Sequence, residues 1–111
     1  MNTSLNSGAK TYPWSDSWLL HAVINASQSE PADLARIIAV GDHYNHAVFT
    51  HEELYGGLER LISGGWIISR KTYFTASEEA LKSYEAIQKL GFSCYDEMKL
   101  LEEALNSKPI Q

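Results

Sequence analysis

Apolar residues recur at helical spacing in five stretches of the chain, and a strand-like pattern separates the third stretch from the fourth. The clearest helical stretch is 50–63, whose apolar residues lie on one side of a 3.6-residue helix: Leu54, Leu58, Leu61 and Ile62. Thr50 and Glu53 have the spacing of a capping box at its start. Gly64 and Gly65 follow the last apolar residue, as is typical of a helix end. The pattern therefore predicts a helix with defined ends.

The next stretch predicts a β-hairpin followed by two further helices. Residues 66–70 and 72–75 are rich in β-branched and aromatic residues, and only a short turn fits between them. Thr75 and Glu78 repeat the capping-box spacing and predict a helix from residue 76 to about 90, with this apolar stripe: Ala80, Leu81, Tyr84 and Ile87. Gly91 is placed to end that helix, and Ser93 to begin the last one, over 93–106.

Two helices are predicted before residue 50. The first runs from Asp16 to about Ser27, with Ser15 as its cap. The negative charge of Asp16 in its first turn interacts favourably with the helix dipole. Its predicted buried face consists of Trp18, Leu19, Ala22, Val23 and Ala26. Pro31 suits the first turn of the second helix, which is expected to end near Asp42. A polar connection at 41–46 and a very short strand at 47–49 complete this half. Residues 1–12 and 107–111 are expected to be tails, leaving one domain at 13–106.

The order helix, helix, short strand, helix, hairpin, helix, helix resembles the winged helix-turn-helix superfamily over about residues 15–90. The segment EELYGGLERLISGGWI is similar to a recognition helix that enters the first wing strand, as in the MarR-like and PadR-like branches. The segment YFTASEEALKSYEAI is similar to the second wing strand and the helix after it. The resemblance implies a mainly α fold with a small antiparallel β-hairpin, here extended by a C-terminal helix. Many winged helices bind DNA and others bind only protein, so the fold leaves the function open.

The outward face of helix 50–63 is acidic, which favours a protein partner over DNA. Counting about 100° per residue places these residues opposite the leucine stripe: Glu52, Gly56, Glu59, Arg60 and Ser63. Carboxylates are repelled by the phosphates that flank a major groove. Gly56 would let the backbone of a partner come close. Arg70 and Lys71, at the tip of the wing, support the alternative of DNA binding.

Composition narrows the class of protein. The 111 residues carry a net charge of −5, and phosphate binding generally needs a basic surface. No apolar run approaches the ~20 residues of a membrane span, and the start of the chain lacks the apolar centre of a secretory signal. The single cysteine, Cys94, cannot form an internal disulfide and is interpreted as a buried, inert thiol. We therefore expect a cytoplasmic protein with no membrane contact.

The sequence offers little support for catalysis or a cofactor. His43, His46 and His51 form an H-x2-H-x4-H cluster, but the spacing matches no established metal signature and makes them weak candidates. No G-x-S-x-G, P-loop, G-x-G-x-x-G or C-x-x-C motif is present. We expect a protein that is not an enzyme and has no cofactor.

The last helix suggests self-association, because it carries apolar residues on more than one side. The candidate dimer contacts are Cys94, Tyr95, Met98, Leu101 and Leu105. The alternative is a monomer in which this helix only covers the core of its own chain. The sequence thus predicts a non-enzymatic winged-helix module for protein interaction or regulation, acting as a homodimer. The alternative is a DNA-binding transcriptional regulator that uses helix 50–63 and the wing.

Overall fold

The computed structural model describes residues 11–107. Within that range five helices and one antiparallel hairpin follow one another: α1 (Trp14–Ala26), α2 (Leu34–Asn45), α3 (His51–Ser63), β1 (Ile67–Arg70), β2 (Tyr73–Ala76), α4 (Glu78–Gln88) and α5 (Cys94–Asn106). The hairpin pairs Ile67 with Ala76 at its base and Arg70 with Tyr73 at its tip. The predicted fold class, mainly α with a small antiparallel hairpin, is confirmed. Residues 1–10 and 108–111 of the predicted tails lie outside the described residues.

Helix α1 is the centre of the core, and it is buried on all sides rather than on one face. It contacts α2, α3, α5 and β2. Leu20 and Ile24, which lie off the predicted buried face, are as inaccessible as Leu19. The predicted cap was wrong, because the helix begins after Pro13 and Ser15 lies inside its first turn. A helix that is surrounded by other elements needs no polar stripe, which explains the weak amphipathic pattern of this segment.

Each of the three fully buried polar side chains of α1 has at least one partner. Asp16 is fully buried and forms two hydrogen bonds with Arg60 of α3. The Ser17 hydroxyl donates to the carbonyl of Trp14 at 2.7 Å. His21 lies 3.2 Å from a carboxylate oxygen of Glu97 on α5. Burying such groups without partners would cost free energy, so the contacts of Asp16 and His21 favour the packing of α3 and α5 at those positions of α1.

The start of α2 differs from the prediction because the hairpin recruits the residue that follows Pro31. Ala32 exchanges two backbone hydrogen bonds with Phe74 of β2, at 2.9 and 2.8 Å. This pairing keeps the chain extended through residue 32, so Pro31 lies before the helix and not in its first turn. Asp33 caps α2 instead, accepting a hydrogen bond from the backbone N–H of Arg36.

The end of α2 also differs, since the predicted connection at 41–46 is mostly helical. The helix continues to Asn45 and ends at His46, which adopts a left-handed backbone with φ 55°. The predicted strand at 47–49 is absent from the described structure. Phe49 is instead drawn into the core, where its ring stacks on Trp18 with centroids 3.8 Å apart. A tertiary contact therefore overrides the strand propensity of this segment.

Local capping signals predicted two of the three later helix starts. Both hydrogen bonds of the Thr50 capping box are present, and the Ser93 hydroxyl accepts from the N–H of Asp96. The predicted cap at Thr75 was wrong, because Thr75 remains in β2 opposite Ile68. Ser77 caps α4, which is therefore two residues shorter at each end than predicted.

Tyr12 belongs to the core and not to the tail in which it was placed. Its side chain is 2% exposed. Its backbone N–H donates to the side-chain oxygen of Asn106 at 2.7 Å, and the amide of Asn106 donates back to its carbonyl at 3.0 Å. This reciprocal pair joins the two ends of the described chain.

Two adjacent glycines in α3 have different roles. A Cβ on Gly57 would lie 2.7 Å from Leu19 Cδ2 and 2.9 Å from Asp16 Oδ1, so this residue allows α3 to approach α1 closely. A Cβ on Gly56 would meet only the guanidinium of Arg60, at 3.3 Å. Of the two glycines, Gly57 is thus the one at which α3 packs closely, and its contacts are with side chains of α1.

We expect Gly57→Ala to lower the free energy of unfolding by about 1–3 kcal/mol, because the added methyl overpacks the contact with α1. Gly56→Ala is the matched control. It should be neutral or stabilising by up to about 1 kcal/mol, because alanine has the higher helix propensity. Urea denaturation of both variants measures the difference, and equal stabilities would contradict the assigned role of Gly57.

Candidate functional site

Helix α3 presents an exposed face that is acidic and partly apolar. Glu52, Glu59 and Ser63 are exposed, as predicted by counting around the helix. Tyr55 and Ile62 lie on the exposed side as well, at 48% and 38% exposure. Ile62 was predicted to be buried, but only the other three members of its apolar stripe reach the core.

Arg60 does not belong to a free contact surface. Its Nε lies 2.7 Å from Asp16 Oδ2 and its Nη2 lies 2.9 Å from Asp16 Oδ1, a two-point contact with a fully buried carboxylate. The hydrogen bond to Asp16 raises the pKa of Arg60, and the charges of Glu52 and Glu59 raise it further. Arg60 was predicted to face a partner or DNA; its side chain is instead paired with Asp16 and is 32% exposed. A guanidinium held in this way cannot turn to bind a phosphate without leaving Asp16 unpaired.

Gly56 is covered by the side chain of Arg60 and is half-buried. It therefore offers no flat surface on which the backbone of a partner could rest. The free part of the predicted face is reduced to Glu52, Glu59 and Ser63, to which the structure adds Tyr55 and Ile62.

The tip of the hairpin is exposed, as predicted. Arg70 and Lys71 are both exposed, and Lys71 has a left-handed backbone with φ 58°. Residues opposite each other in a ladder share a face, so the outer face carries Ile68, Arg70, Tyr73 and Thr75. This face borders an open groove of about 510 Å³ that Pro31 and Phe74 help to line.

The predicted dimer contacts on α5 are mainly core residues of the same chain. Met98, Leu101 and Leu105 are at most 1% exposed, packed within the core. Cys94 is half-buried, and Tyr95 is 57% exposed while its ring contacts Trp14. Three of the five predicted contacts are therefore unavailable to a second chain.

The predicted histidine cluster is exposed and is not the place where metal-binding atoms converge. His43, His46 and His51 are exposed; the rings of His43 and His51 pack against Tyr44 and Tyr55. The grouping within residues 11–107 that could hold a metal ion consists of His21, Cys94 and Glu97. One donor atom from each lies within 4.8 Å of the others.

His21 and Glu97 are part of a buried hydrogen-bond network that links α1, α4 and α5. The Tyr84 hydroxyl donates to Glu97 Oε1 at 2.8 Å and lies 3.3 Å from His21 Nε2. His21 Nε2 lies 3.2 Å from the same Glu97 oxygen. Neutral His21 therefore carries its proton on Nε2, while the buried Nδ1 has no hydrogen-bond partner.

The environment shifts the pKa values of two members of this network and of the neighbouring Cys94. Burial lowers the pKa of His21, and the hydrogen bond and charge of Glu97 oppose that effect. Burial raises the pKa of Tyr84. Burial, followed by the charge of Glu97, raises the pKa of Cys94. Neutral forms of all three side chains are favoured at neutral pH.

Sequence reasoning missed this network, although one signal was available. Glu97 lies three residues after Cys94 and four before Leu101, on the apolar side of α5. A carboxylate at such a position must find a buried partner. The identity of that partner, on α1, could not be obtained from local spacing.

No protein-family model, curated protein or solved structure matches this chain. Within residues 11–107, no helix combines the length and apolar character needed to cross a lipid bilayer.

The buried His21 predicts a loss of stability in weak acid. Its folded pKa lies below the unfolded value of about 6.5, so the unfolded chain binds the proton more readily and the free energy of unfolding falls as pH decreases below that value. Chemical denaturation in the presence of a chelator, between about pH 7 and pH 5, measures this slope.

His21→Gln should flatten the slope, whatever its effect on stability at pH 7, while the exposed control His43→Gln should keep the wild-type slope. An unchanged slope in His21→Gln would contradict this interpretation of the network.

Proposed function

We propose that this chain is a non-enzymatic winged-helix module that binds a protein partner through the exposed face of α3. The observed order of three helices, hairpin and helix supports the winged-helix interpretation. The observation that carries the functional proposal is the composition of this face, where Glu52 and Glu59 accompany half-exposed Tyr55 and Ile62.

This combination suits a protein surface. Tyr55 can bury a large ring and still hydrogen-bond through its hydroxyl, which is why tyrosine is frequent in interface centres. Ile62 adds apolar area on the next turns of the helix. Carboxylates at the edge of such a patch favour a partner with lysine or arginine around an apolar centre. The same carboxylates would repel a phosphate backbone.

The position of Arg60 strengthens the preference for protein over DNA. Arg60, the residue of α3 whose positive charge could contact a phosphate, is paired with Asp16. Because the charge of Asp16 balances that of Arg60, the exposed face of α3 keeps the negative charge of Glu52 and Glu59 toward a ligand. Self-association through α5 is not part of the proposal, because Met98, Leu101 and Leu105 are core residues.

DNA binding is the second candidate function, and one observation favours it. Arg70 and Lys71 are exposed at the hairpin tip, where a wing can reach phosphates. Binding of this kind would weaken steeply with salt, and Arg70→Ala together with Lys71→Ala would reduce it.

The proposal is tested by charge reversal on α3. We expect Glu52→Lys combined with Glu59→Lys to abolish capture of the protein partner from the cell of origin in nuclease-treated lysate. The loss of complementary charge should weaken binding of the purified partner at least about tenfold.

The control is Glu85→Lys combined with Glu103→Lys, which makes the same change in net charge at exposed positions on α4 and α5. It should bind as the wild type does. Equal loss in both double variants would contradict a contact on α3. Recovery of DNA alone, lost after nuclease treatment and in the Arg70 and Lys71 variants, would favour the second candidate.

A further inference from the structure

Two side chains in the first turn of α5 face one histidine of α1. Cys94 and Glu97 are three residues apart on the helix, so they lie on the same side. His21 is fully buried opposite them. One nitrogen, one sulfur and one oxygen donor therefore lie within 4.8 Å of one another.

We propose that His21, Cys94 and Glu97 form a zinc site that links α1 to α5. Imidazole, thiolate and carboxylate are the three ligand types that zinc uses in proteins. Calcium and magnesium require mostly oxygen donors, which this site lacks. The donor set therefore selects a borderline-soft transition metal.

The geometry requires only a small adjustment. Tetrahedral zinc with bonds of about 2.0–2.3 Å places its ligand atoms about 3.3–3.7 Å apart. His21 Nε2 and Glu97 Oε1 are already 3.2 Å apart. A change in the Cys94 rotamer can bring the thiolate closer, because this side chain is half-buried and therefore less confined than His21.

The charges also suit a cation. Glu97 supplies one negative charge, and loss of the Cys94 proton on binding supplies a second. Cys94 is the first residue of α5, where the positive end of the helix dipole opposes the burial and the Glu97 charge that raise its pKa in the metal-free protein. A metal on Nε2 would leave the single proton of neutral His21 on Nδ1, so the proton released on binding is that of the Cys94 thiol. Affinity must therefore fall as the pH decreases.

Tyr84 would not bind the metal itself but would orient one of its ligands, Glu97. Its hydroxyl hydrogen-bonds to Glu97 at 2.8 Å and to Asn25 at 3.4 Å, which orients the carboxylate toward His21. Three protein ligands leave the fourth zinc position for water, and Cys94 is the partly exposed member of the three. The hydrogen-bond network alone makes no use of Cys94, whereas a metal would use every donor present.

Few nitrogen or sulfur ligands outside the proposed site could compete with it for zinc. All four histidines, the cysteine and all 14 acidic residues lie within the described range. The exposed histidines His43, His46 and His51 are the main competitors, and replacing all three with asparagine provides a control for surface binding.

The test is titration of chelator-treated protein with Co²⁺, followed by displacement with Zn²⁺. We expect one Co²⁺ per chain, a thiolate-to-cobalt charge-transfer band that zinc removes, and a zinc-dependent rise in the unfolding temperature. Cys94→Ser should lose the band and weaken zinc binding more than about tenfold. Tyr84→Phe should weaken it about 10–100-fold. The triple asparagine variant should bind as the wild type does.

Four results would overturn the proposal: no charge-transfer band at equimolar Co²⁺, one Co²⁺ per two chains, unchanged zinc affinity in Cys94→Ser, or loss of binding in the triple variant. Circular dichroism of metal-free Cys94→Ser verifies that this variant is folded. Glu97→Gln, which keeps the size of the side chain, gives a second test of the ligand set and should also weaken binding.

Discussion

The contact between Asp16 and Arg60 determines how α3 is presented. A carboxylate that is fully buried needs a partner, and Arg60 supplies two hydrogen bonds at 2.7 and 2.9 Å. Gly57 makes the contact possible, because any side chain there would meet Asp16 and Leu19. Once α3 is held in this orientation, Glu52 and Glu59 must face outward. The exposed surface for which we propose a partner is thus a consequence of a buried charge.

A second polar contact on α1 works in the same way toward α5. His21 follows Asp16 by five residues, so it points to a different side of the helix. There its ring lies within hydrogen-bond distance of Tyr84 and Glu97. The central helix therefore binds α3 through one polar cluster and α5 through another, with apolar contacts between. Because polar partners must match in position, both contacts specify packing more strictly than apolar burial alone.

Much of the fold could be predicted because several signals are local. The capping box at Thr50 and the cap at Ser93 lie within four residues of the groups they bind, and the hairpin is short. The errors occur where distant residues decide. Ala32 pairs with Phe74, and Phe49 stacks on Trp18, so neither segment follows its own propensity.

The candidate site shows the same division between local and distant causes. Counting around the helix placed Glu52, Glu59 and Ser63 outside correctly. It failed for Arg60, whose partner is 44 residues away in sequence, and it missed Glu97, which is 76 residues from His21. Arg60 was assigned to a contact surface because its buried partner could not be identified from spacing, and for the same reason Glu97 was given no role.

The most direct measurement is the free energy of unfolding of Arg60→Ala, in the wild-type and Asp16→Asn backgrounds, with Arg70→Ala as the exposed control. We expect Arg60→Ala to cost at least about 2 kcal/mol, somewhat less than a wholly buried pair because the Arg60 side chain is 32% exposed. The cost of Arg60→Ala should be smaller in the Asp16→Asn background, because the asparagine carries no charge that the substitution would leave unpaired. Arg70→Ala should cost less than about 0.5 kcal/mol. Equal costs for Arg60→Ala and Arg70→Ala, or no coupling to Asp16, would contradict the account.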